Sequence, residues 1–412
     1  MPKNKRPVPR PSSQAPQEDR ERLAQTLAEL ALDLAEQAAD EEQAGQAVDR
    51  AALSLKEDAF NKLLRNALRK HNDELLYGAI EHAREADVAA YELLRERVAE
   101  ASATMLLRRE GAPSMEINAF AVPLFVRSAG GLRQEQCFQD PAAFEELVAS
   151  IVSAGLESGQ AKVVLISHAY DLDEFDRITY STLAEMVREA AASMTEKKLV
   201  PTPALEASMG GWRASAFGPE DEALELRFLL GFAMKRSDDK FYQVPAEEAA
   251  ADAYFEARMA RFRNWTVLAA PLVKRCLAAQ PESVHLDFLY QDLPFGAKEQ
   301  ALAELAMLQM MADVAGALAR GGVAPAQVRA VAGPADVDDE MVLRVNVYGP
   351  GDALLASSDK PLDLAADLQT EVDDICDALA TLGIAQVAVA LRFAPDGTAL
   401  EVRAYQGAAL SD

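Results

Sequence analysis

The spacing of apolar residues separates a helical N-terminal quarter of the chain from a mixed remainder. Leu23, Leu27, Leu30 and Leu34 recur at the 4-3-4 spacing of a coiled-coil seam, which lasts only about two heptads. Three further apolar faces at helical spacing follow before residue 103, without a repeat signature. We therefore predict an array of antiparallel helices over 18–103, with the first helix packed on the body or on a partner helix.

At Thr104 the apolar period changes to that of β-strands. Strands are predicted at 105–109, 116–126, 162–167, 223–234, 283–290, 327–332, 341–347 and 354–357. Helices are predicted at 142–154, 181–192, 246–278, 297–319 and 364–382. A closing hairpin, 387–393 to 400–404, is predicted around the turn Pro395-Asp396-Gly397.

This order of elements predicts an α+β fold, in which a helical N-terminal region precedes one or two α/β sandwich domains. The order β-α-β-β-α-β over 283–394 is that of the ferredoxin-like, split βαβ motif. Whether the earlier strands and helices are a true duplication of it is left open. The predicted divisions are a disordered basic tail at 1–17, the helical region at 18–103, an α/β domain at 104–245, and a ferredoxin-like domain with a leading long helix at 246–412.

The charge of the chain limits its partners. Its 412 residues include 41 Lys and Arg against 66 Asp and Glu, a formal net charge of −25. Such an excess repels phosphate and anionic lipid, so the sequence predicts no nucleic-acid and no membrane partner. The excess is uneven, because residues 1–17 carry +4 and residues 281–412 carry 21 acids against 7 Lys and Arg. These opposed charges favour a homo-oligomer or a protein partner.

The predicted helix 364–382 concentrates the negative charge of the C-terminal part. Its inward face is predicted to be Leu364, Leu368, Val372, Ile375, Leu379 and Leu382. The candidate partner-binding residues on its other side are Asp363, Asp367, Glu371 and Asp374. A solvated face that keeps the protein soluble explains the same acids without a partner, and both interpretations stay open.

One segment and the cysteines bear on the compartment. Residues 301–319 are almost wholly Ala, Leu and Met, but Asp313 near the middle of a span would cost roughly 2.5–3.5 kcal/mol. We therefore predict a soluble helix that is buried on most sides. Cys137, Cys276 and Cys376 form no CxxC pair, and the last two are expected to be small core residues. Since no apolar signal segment is seen, a cytoplasmic location is predicted.

Candidate chemistry is confined to one cluster. No P-loop, GxGxxG, GxSxG, HExxH or CxxC motif occurs, so no cofactor and no metal are predicted. The segment 167–176, which follows the buried strand 162–167, holds the candidate catalytic residues His168, Asp171 and Asp173. A histidine among carboxylates suits general acid–base work or a divalent cation. The alternative is that Asp173 or Asp176 caps the next helix.

Trp212 is the candidate ligand-binding aromatic. It stands beside Gly210 and Gly211 in a segment rich in Pro, Gly and Ser. A tryptophan in such a loop is able to stack on a ligand. It is equally able to anchor the loop on the body, so its role is left open.

Three features resemble a known family. They are the apolar run Phe120-Ala-Val-Pro-Leu-Phe125, the strand Val163-Val-Leu-Ile166 followed by the 168–176 segment, and the order of helices from Asp58-Ala-Phe60 onward. Together they resemble a family of uncharacterised proteobacterial proteins, a domain of unknown function, over most of 56–406. The resemblance implies a bacterial cytosolic protein and supplies no activity or catalytic residues.

The sequence thus favours a non-enzymatic protein that self-associates or binds a partner, although it does not decide whether the chain is an enzyme. The alternative is a small-ligand or metal-dependent enzyme with its site in the 168–176 segment. The ligand, the partner and the oligomeric state are not fixed by these patterns.

Overall fold

The computed structural model describes residues 15–44, 50–108, 110–128, 138, 140–195, 223–278, 280–289, 294–338 and 340–405. The chain forms two compact units, residues 1–298 and 299–412. A helical N-terminal region followed by largely antiparallel sheets confirms the α+β class. Cys137, Trp212 and most of the predicted tail lie outside the described residues.

The first unit begins with a helical layer. Its helices are α1 (Ala15–Ala44), α2 (Arg50–Arg69), α3 (Asp73–Ala86) and α4 (Val88–Ala103). Leu27 of the predicted seam is fully buried, and α1 packs on α2, α3 and α4 rather than running as a free rod. The seam packs inside this helical layer only in part, because Leu23 is 37% exposed and the other buried residues of α1 are Ala24, Ala28, Ala31 and Ala35.

A five-stranded antiparallel sheet follows. Its strands are β1 (Thr104–Leu107), β2 (Met115–Ser128), β3 (Lys162–Tyr170), β4 (Ala223–Arg236) and β5 (Val284–Phe288). The long strand β2 pairs with β4 along one edge and with both β1 and β5 along the other, and β3 pairs with the far edge of β4. The helices of this part are α5 (Pro141–Ser153), α6 (Leu172–Asp176), α7 (Tyr180–Thr195) and α8 (Glu248–Leu277).

The pairing of β5 corrects the predicted domain division. Leu286 lies opposite Val126 of β2, so the strand expected to open a ferredoxin-like motif completes the first sheet instead. The long helix α8 belongs there too, because the buried Trp265 donates from Nε1 to Ser150 Oγ of α5 at 2.9 Å. The boundary predicted at 246 is therefore wrong, and the split βαβ order over 283–394 does not form in one sheet.

The second unit is built on a different sheet. Its helices are α9 (Pro294–Gly321), of which residues 299–321 belong to this unit, and α10 (Leu368–Thr381). Its strands are β6 (Arg329–Val337), β7 (Glu340–Tyr348), β8 (Leu354–Pro361), β9 (Gln386–Val389), β10 (Arg392–Phe393), β11 (Ala399–Leu400) and β12 (Arg403–Ala404). The main sheet has the order β12-β9-β6-β7-β8, in which only β6 and β9 are parallel. The closing hairpin is present as β10 paired with β11.

Within the described part of the chain, α9 alone is long and apolar enough to cross a membrane, a test that core helices also pass. Met310, Val314 and Leu318 pack on the sheet of the second unit, and Asp313 accepts a hydrogen bond from Ser358 at 3.0 Å. Only 28% of its most apolar window is buried. The helix therefore buries one face, not most of its surface as predicted.

The two described cysteines are core residues, as predicted. Cys276 lies in the core beneath the first sheet and Cys376 in that of the second unit, and both are free thiols. Burial raises the pKa of the Cys376 thiol to about 12, and the nearby Asp373 and Asp377 carboxylates add to the effect.

Candidate functional site

The candidate catalytic histidine lies on an irregular stretch of β3. The pairing of β3 with β4 changes register between Leu165 and Ala169, and His168 falls within this bulge. The strand continues to Tyr170, so the segment predicted as a loop after residue 167 is partly strand. The bulge carries the chain directly into α6.

Helix α6 begins with a reciprocal cap. Asp171 Oδ1 accepts a hydrogen bond from the Glu174 amide at 2.8 Å, and Glu174 Oε2 accepts one from the Asp171 amide at 3.1 Å. This capping box satisfies two amides that would otherwise lack acceptors at the start of the helix. The capping residue is thus Asp171, whereas the sequence had indicated Asp173 or Asp176.

His168 is held by the same carboxylate. Its Nε2 lies 2.9 Å from Glu174 Oε2, and the two side chains are only 12% and 4% exposed. The imidazole also packs edge-on against Tyr170, with ring centroids 4.5 Å apart. Glu174 Oε1 is buried and has no hydrogen-bond partner among the described residues. The histidine therefore lies inside the structure, against a buried glutamate.

A buried arginine neutralises part of this cluster. Arg227 of β4 donates from Nε and Nη2 to Glu225 at 3.1 and 2.5 Å, and its Nη1 lies 3.8 Å from Asp171 Oδ2. The guanidinium is only 3% exposed, so its ion pairs are screened far less than surface pairs are. Glu225 and Arg227 were not among the candidate residues, because both lie on β4, more than 50 residues further along the chain. Glu174 lies within the 167–176 segment but was not named as a candidate.

The third candidate catalytic residue, Asp173, does not belong to the cluster of His168 and Asp171. Asp173 is exposed on α6, and Asp176 pairs with Lys298 at 2.6 Å. Among the described residues, no three His, Cys, Asp or Glu side chains are grouped so that they could hold a metal ion. His168 and Asp171 share one hydrogen-bond network with the N-terminal cap of α6. This arrangement is typical of residues that stabilise the connection between β3 and α6.

The four acids predicted to bind a partner have different surroundings. Helix α10 starts later than predicted, at Leu368, with Asp367 as its N-cap accepting from the Thr370 amide at 2.7 Å. Asp363 precedes the helix and accepts from the Ala365 amide at 2.8 Å. The hydrogen bonds that Asp367 accepts from Thr370, the amide first and the side chain second, lower the pKa of the Asp367 carboxyl.

Glu371 is not part of an open acidic face. Its carboxylate pairs with the Lys360 ammonium of β8, which is nearly fully buried. Asp374 is exposed and makes no hydrogen bond or ion pair within the described part of the chain. Leu364 and Leu368, expected on the inward face, are 52% and 40% exposed. The docking role of these four acids stays a prediction.

A cleft of about 830 Å³ lies in the first unit, where α2, α4, β1 and α7 meet. Its lining residues are Asn61, Leu64, Arg65, Leu68, Arg69, Arg97, Glu100, Ala101, Ser102, Thr104, Met105, Leu106, Arg108, Ala184, Val187 and Arg188. Five arginines stand here against one glutamate, a formal charge of +4 in a chain whose net charge is −25. A second cavity of about 510 Å³ adjoins it along α2 and adds Lys62 and Asp58, which carry no net charge together.

The arginines of this cleft are largely unpaired. Among the described residues none of the five lies within ion-pair distance of a carboxylate, and only Arg69 makes a side-chain hydrogen bond, to Asn66 at 2.9 Å. Arg65, Arg97, Arg108 and Arg188 are exposed. Elsewhere in the first unit, Arg227, Arg236 and Arg275 each pair with an acid. We call this feature the arginine cleft.

The hydroxyl groups of the arginine cleft already have partners. Ser102 Oγ donates to the Ala99 carbonyl at 2.8 Å, and Thr104 Oγ1 accepts from Asn118 Nδ2 at 3.0 Å. Glu100 is the only acidic lining residue. The lining therefore offers cationic donors and apolar surface, with no nucleophile beside a base.

The arginine cleft was not predicted from the sequence, because its cations come from three helices and from Arg108, which follows β1. One signal was present: residues 59–72 carry Lys62, Arg65, Arg69 and Lys70 and no acid, in a strongly acidic chain. Arg65 and Arg69 are four residues apart and share one helix face. The contributions of Arg97, Arg108 and Arg188 depend on tertiary packing and leave no local pattern.

Comparisons of the chain with protein-family models, with curated proteins and with solved structures found no match. The resemblance to a proteobacterial domain of unknown function is neither supported nor refuted by them and stays a prediction.

Proposed function

We propose that this chain is a non-enzymatic binding protein whose partner is an anion held in the arginine cleft. The observation that carries the proposal is the group of five arginines around one cavity, without an ion-pair partner among the described residues. The predicted non-enzymatic binding role is kept with a small anion as the ligand, while a protein partner at the acidic helix stays a separate prediction.

Physical chemistry supports an anionic occupant. Like charges gathered at one cleft repel one another, and the low-dielectric walls of a cleft strengthen their field. An anion relieves this repulsion and accepts charge-assisted hydrogen bonds from the guanidinium groups. The engaged hydroxyls of Ser102 and Thr104 favour binding over catalysis, because neither is beside a base.

The test measures the binding of inorganic pyrophosphate to the full chain by isothermal titration calorimetry. A variant with Arg65→Glu and Arg97→Glu is expected to lose binding by at least about tenfold, since each lost charge-assisted contact is worth roughly 1.5–3 kcal/mol. The matched control is Arg177→Glu with Arg263→Glu, which changes the net charge equally at exposed sites outside the cleft. Binding that is equal in all three proteins, or absent from the unaltered chain, would contradict the proposal.

Self-association remains a second candidate, because α8 exposes large apolar side chains. Phe255, Val267 and Leu268 are 54%, 74% and 51% exposed. Exposed apolar side chains mark a site where proteins meet other proteins when they form one contiguous patch. Light scattering over a wide range of protein concentration tests this, and a strict monomer throughout would exclude it.

A further inference from the structure

We infer that the occupant of the arginine cleft is a compact organic molecule that carries at least two linked phosphate groups and a flat ring, as a nucleoside diphosphate does. This inference rests on the proposed function and deepens it, because it names the chemical class of the anion.

The size of the cleft favours a small molecule. Its volume of about 830 Å³ falls within the range of about 300–1,000 Å³ that is typical of small-molecule sites. A single inorganic anion would leave most of this space empty. A ligand with a phosphate chain and a ring system has the extent to reach from the α2 arginines to the other walls.

The type of cationic side chain in the cleft, arginine rather than lysine, favours a phosphate ligand. All five cationic residues that line the main cleft are arginines. The planar guanidinium fork matches phosphate oxygens with two parallel hydrogen bonds, whereas lysine acts as a point charge. A formal charge of +4 is of the same size as the charge on a di- or triphosphate. A ligand with a single carboxylate group would leave most of this positive charge uncompensated.

The apolar part of the lining gives the ring a place. Leu64, Leu68 and Val187 line the cleft but are only 1%, 4% and 1% exposed, so its accessible apolar surface comes mainly from Met105 and Leu106 of β1. Guanidinium planes also stack on aromatic faces, which an aliphatic chain does not exploit. The mixture of arginines and apolar side chains therefore fits a ligand that is anionic at one end and flat and apolar at the other.

The charge of the whole chain disfavours a macromolecular anion. The field of the arginines is screened within about 8 Å at physiological ionic strength. A nucleic acid or an acidic protein extends beyond this distance onto a chain whose net charge is −25, where it is repelled. A compact ligand stays within the reach of the five guanidinium groups.

The experiment measures the binding of ADP, inorganic pyrophosphate, adenosine and a single-stranded oligonucleotide to the full chain by calorimetry. ADP is expected to bind at least about tenfold more tightly than pyrophosphate, because burying a ring adds apolar area at about 25 cal/mol per Å². Adenosine is expected not to bind detectably. Arg65→Glu with Arg97→Glu should weaken ADP and pyrophosphate together, while Arg177→Glu with Arg263→Glu should leave both unchanged.

A second variant tests the ring contact separately. Leu106 is partly exposed at the cleft, so Leu106→Ser is expected to fold and to weaken ADP about fivefold while leaving pyrophosphate unchanged. If ADP binds no better than pyrophosphate, the inference is overturned while the anion-binding function stands. If pyrophosphate does not bind, whether or not the oligonucleotide does, the proposed function itself fails.

Discussion

His168 Nε2 lies 2.9 Å from Glu174 Oε2, across the turn that joins β3 to α6. The same oxygen accepts the Asp171 amide, so one buried carboxylate holds both the strand end and the start of the helix. Glu174→Ala is expected to lower the free energy of unfolding by about 1–3 kcal/mol, because buried donors lose their acceptor. Urea unfolding followed by circular dichroism measures this.

Glu174→Gln is the matched control for that change. Its carbonyl oxygen still accepts a hydrogen bond, so it is expected to lose less stability than the alanine variant. If Glu174→Ala were as stable as the unaltered chain, the structural role of the cluster would be contradicted.

In the ion pair of Lys360 and Glu371 the lysine is more deeply buried than the glutamate. We therefore expect substitutions of the two residues to differ in their effect on stability. Lys360 is 5% exposed and Glu371 is 24% exposed. Glu371→Gln leaves a charged ammonium buried without its partner and is expected to cost about 3–5 kcal/mol. Lys360→Met leaves a carboxylate that water reaches, so its cost should be smaller. Chemical denaturation of both variants compares the two losses.

The double variant Lys360→Met with Glu371→Gln separates charge from packing. Because a buried ion pair replaced by neutral side chains is often nearly neutral in stability, it should recover most of the loss caused by Glu371→Gln alone. Equal losses in the two single variants would show that burial does not govern this pair.

The raised pKa of Cys376 predicts an unreactive thiol. With a pKa of about 12, only about one molecule in ten thousand carries a thiolate at pH 8. In a Cys137→Ser background, iodoacetamide should therefore leave Cys376 unmodified in the native protein and modify it rapidly in urea. Peptide mass spectrometry after timed labelling measures the modified fraction. Rapid labelling of native Cys376 would contradict the buried position.

Local sequence patterns were sufficient for the elements but not for their partners. The strand at 283–290 was predicted because its apolar residues alternate, yet no local signal shows that Leu286 lies opposite Val126. Strand pairing is decided by which sheet edge is open and by the packing of α8, whose buried Trp265 bonds to Ser150. The single elements were therefore predicted, but the ferredoxin-like order was wrong, because β8 stands between β7 and α10 and because β5 pairs with β2.

In the candidate site, too, the residues that are close in sequence were predicted and their distant partners were not. His168 and Asp171 are close in sequence and lie in one network, so a pattern was able to indicate them. Their partner Arg227 is 56 or more residues away and reaches them only because β3 pairs with β4. The start of α10 was likewise misplaced, because Asp363 and Asp367 are both of a type that caps helices and only the folded chain shows that Asp367 does so.

Asp140 links the start of α5 to α8 and should make stability depend on acidity. Its carboxylate accepts from the Ala143 amide at 2.9 Å and from Arg275 Nη2 at 2.8 Å. The Ala143 hydrogen bond, followed by the Arg275 interaction, lowers the pKa of Asp140 from its ordinary value of 3.8. The stabilisation is therefore complete above 3.8 and is lost as the pH falls through the lower value of the folded state.

Asp140→Asn is expected to flatten the pH dependence of stability in that window while keeping the helix cap, because asparagine caps helices as well as aspartate does. The midpoint of urea unfolding, measured from about pH 5 to about pH 2.5, should fall less steeply for the variant than for the unaltered chain. Arg275→Met should flatten the profile only in part, because the Ala143 hydrogen bond, the larger cause of the shift, remains. Since all other carboxylates are common to the proteins, parallel profiles would show that Asp140 does not stabilise the fold through its charge.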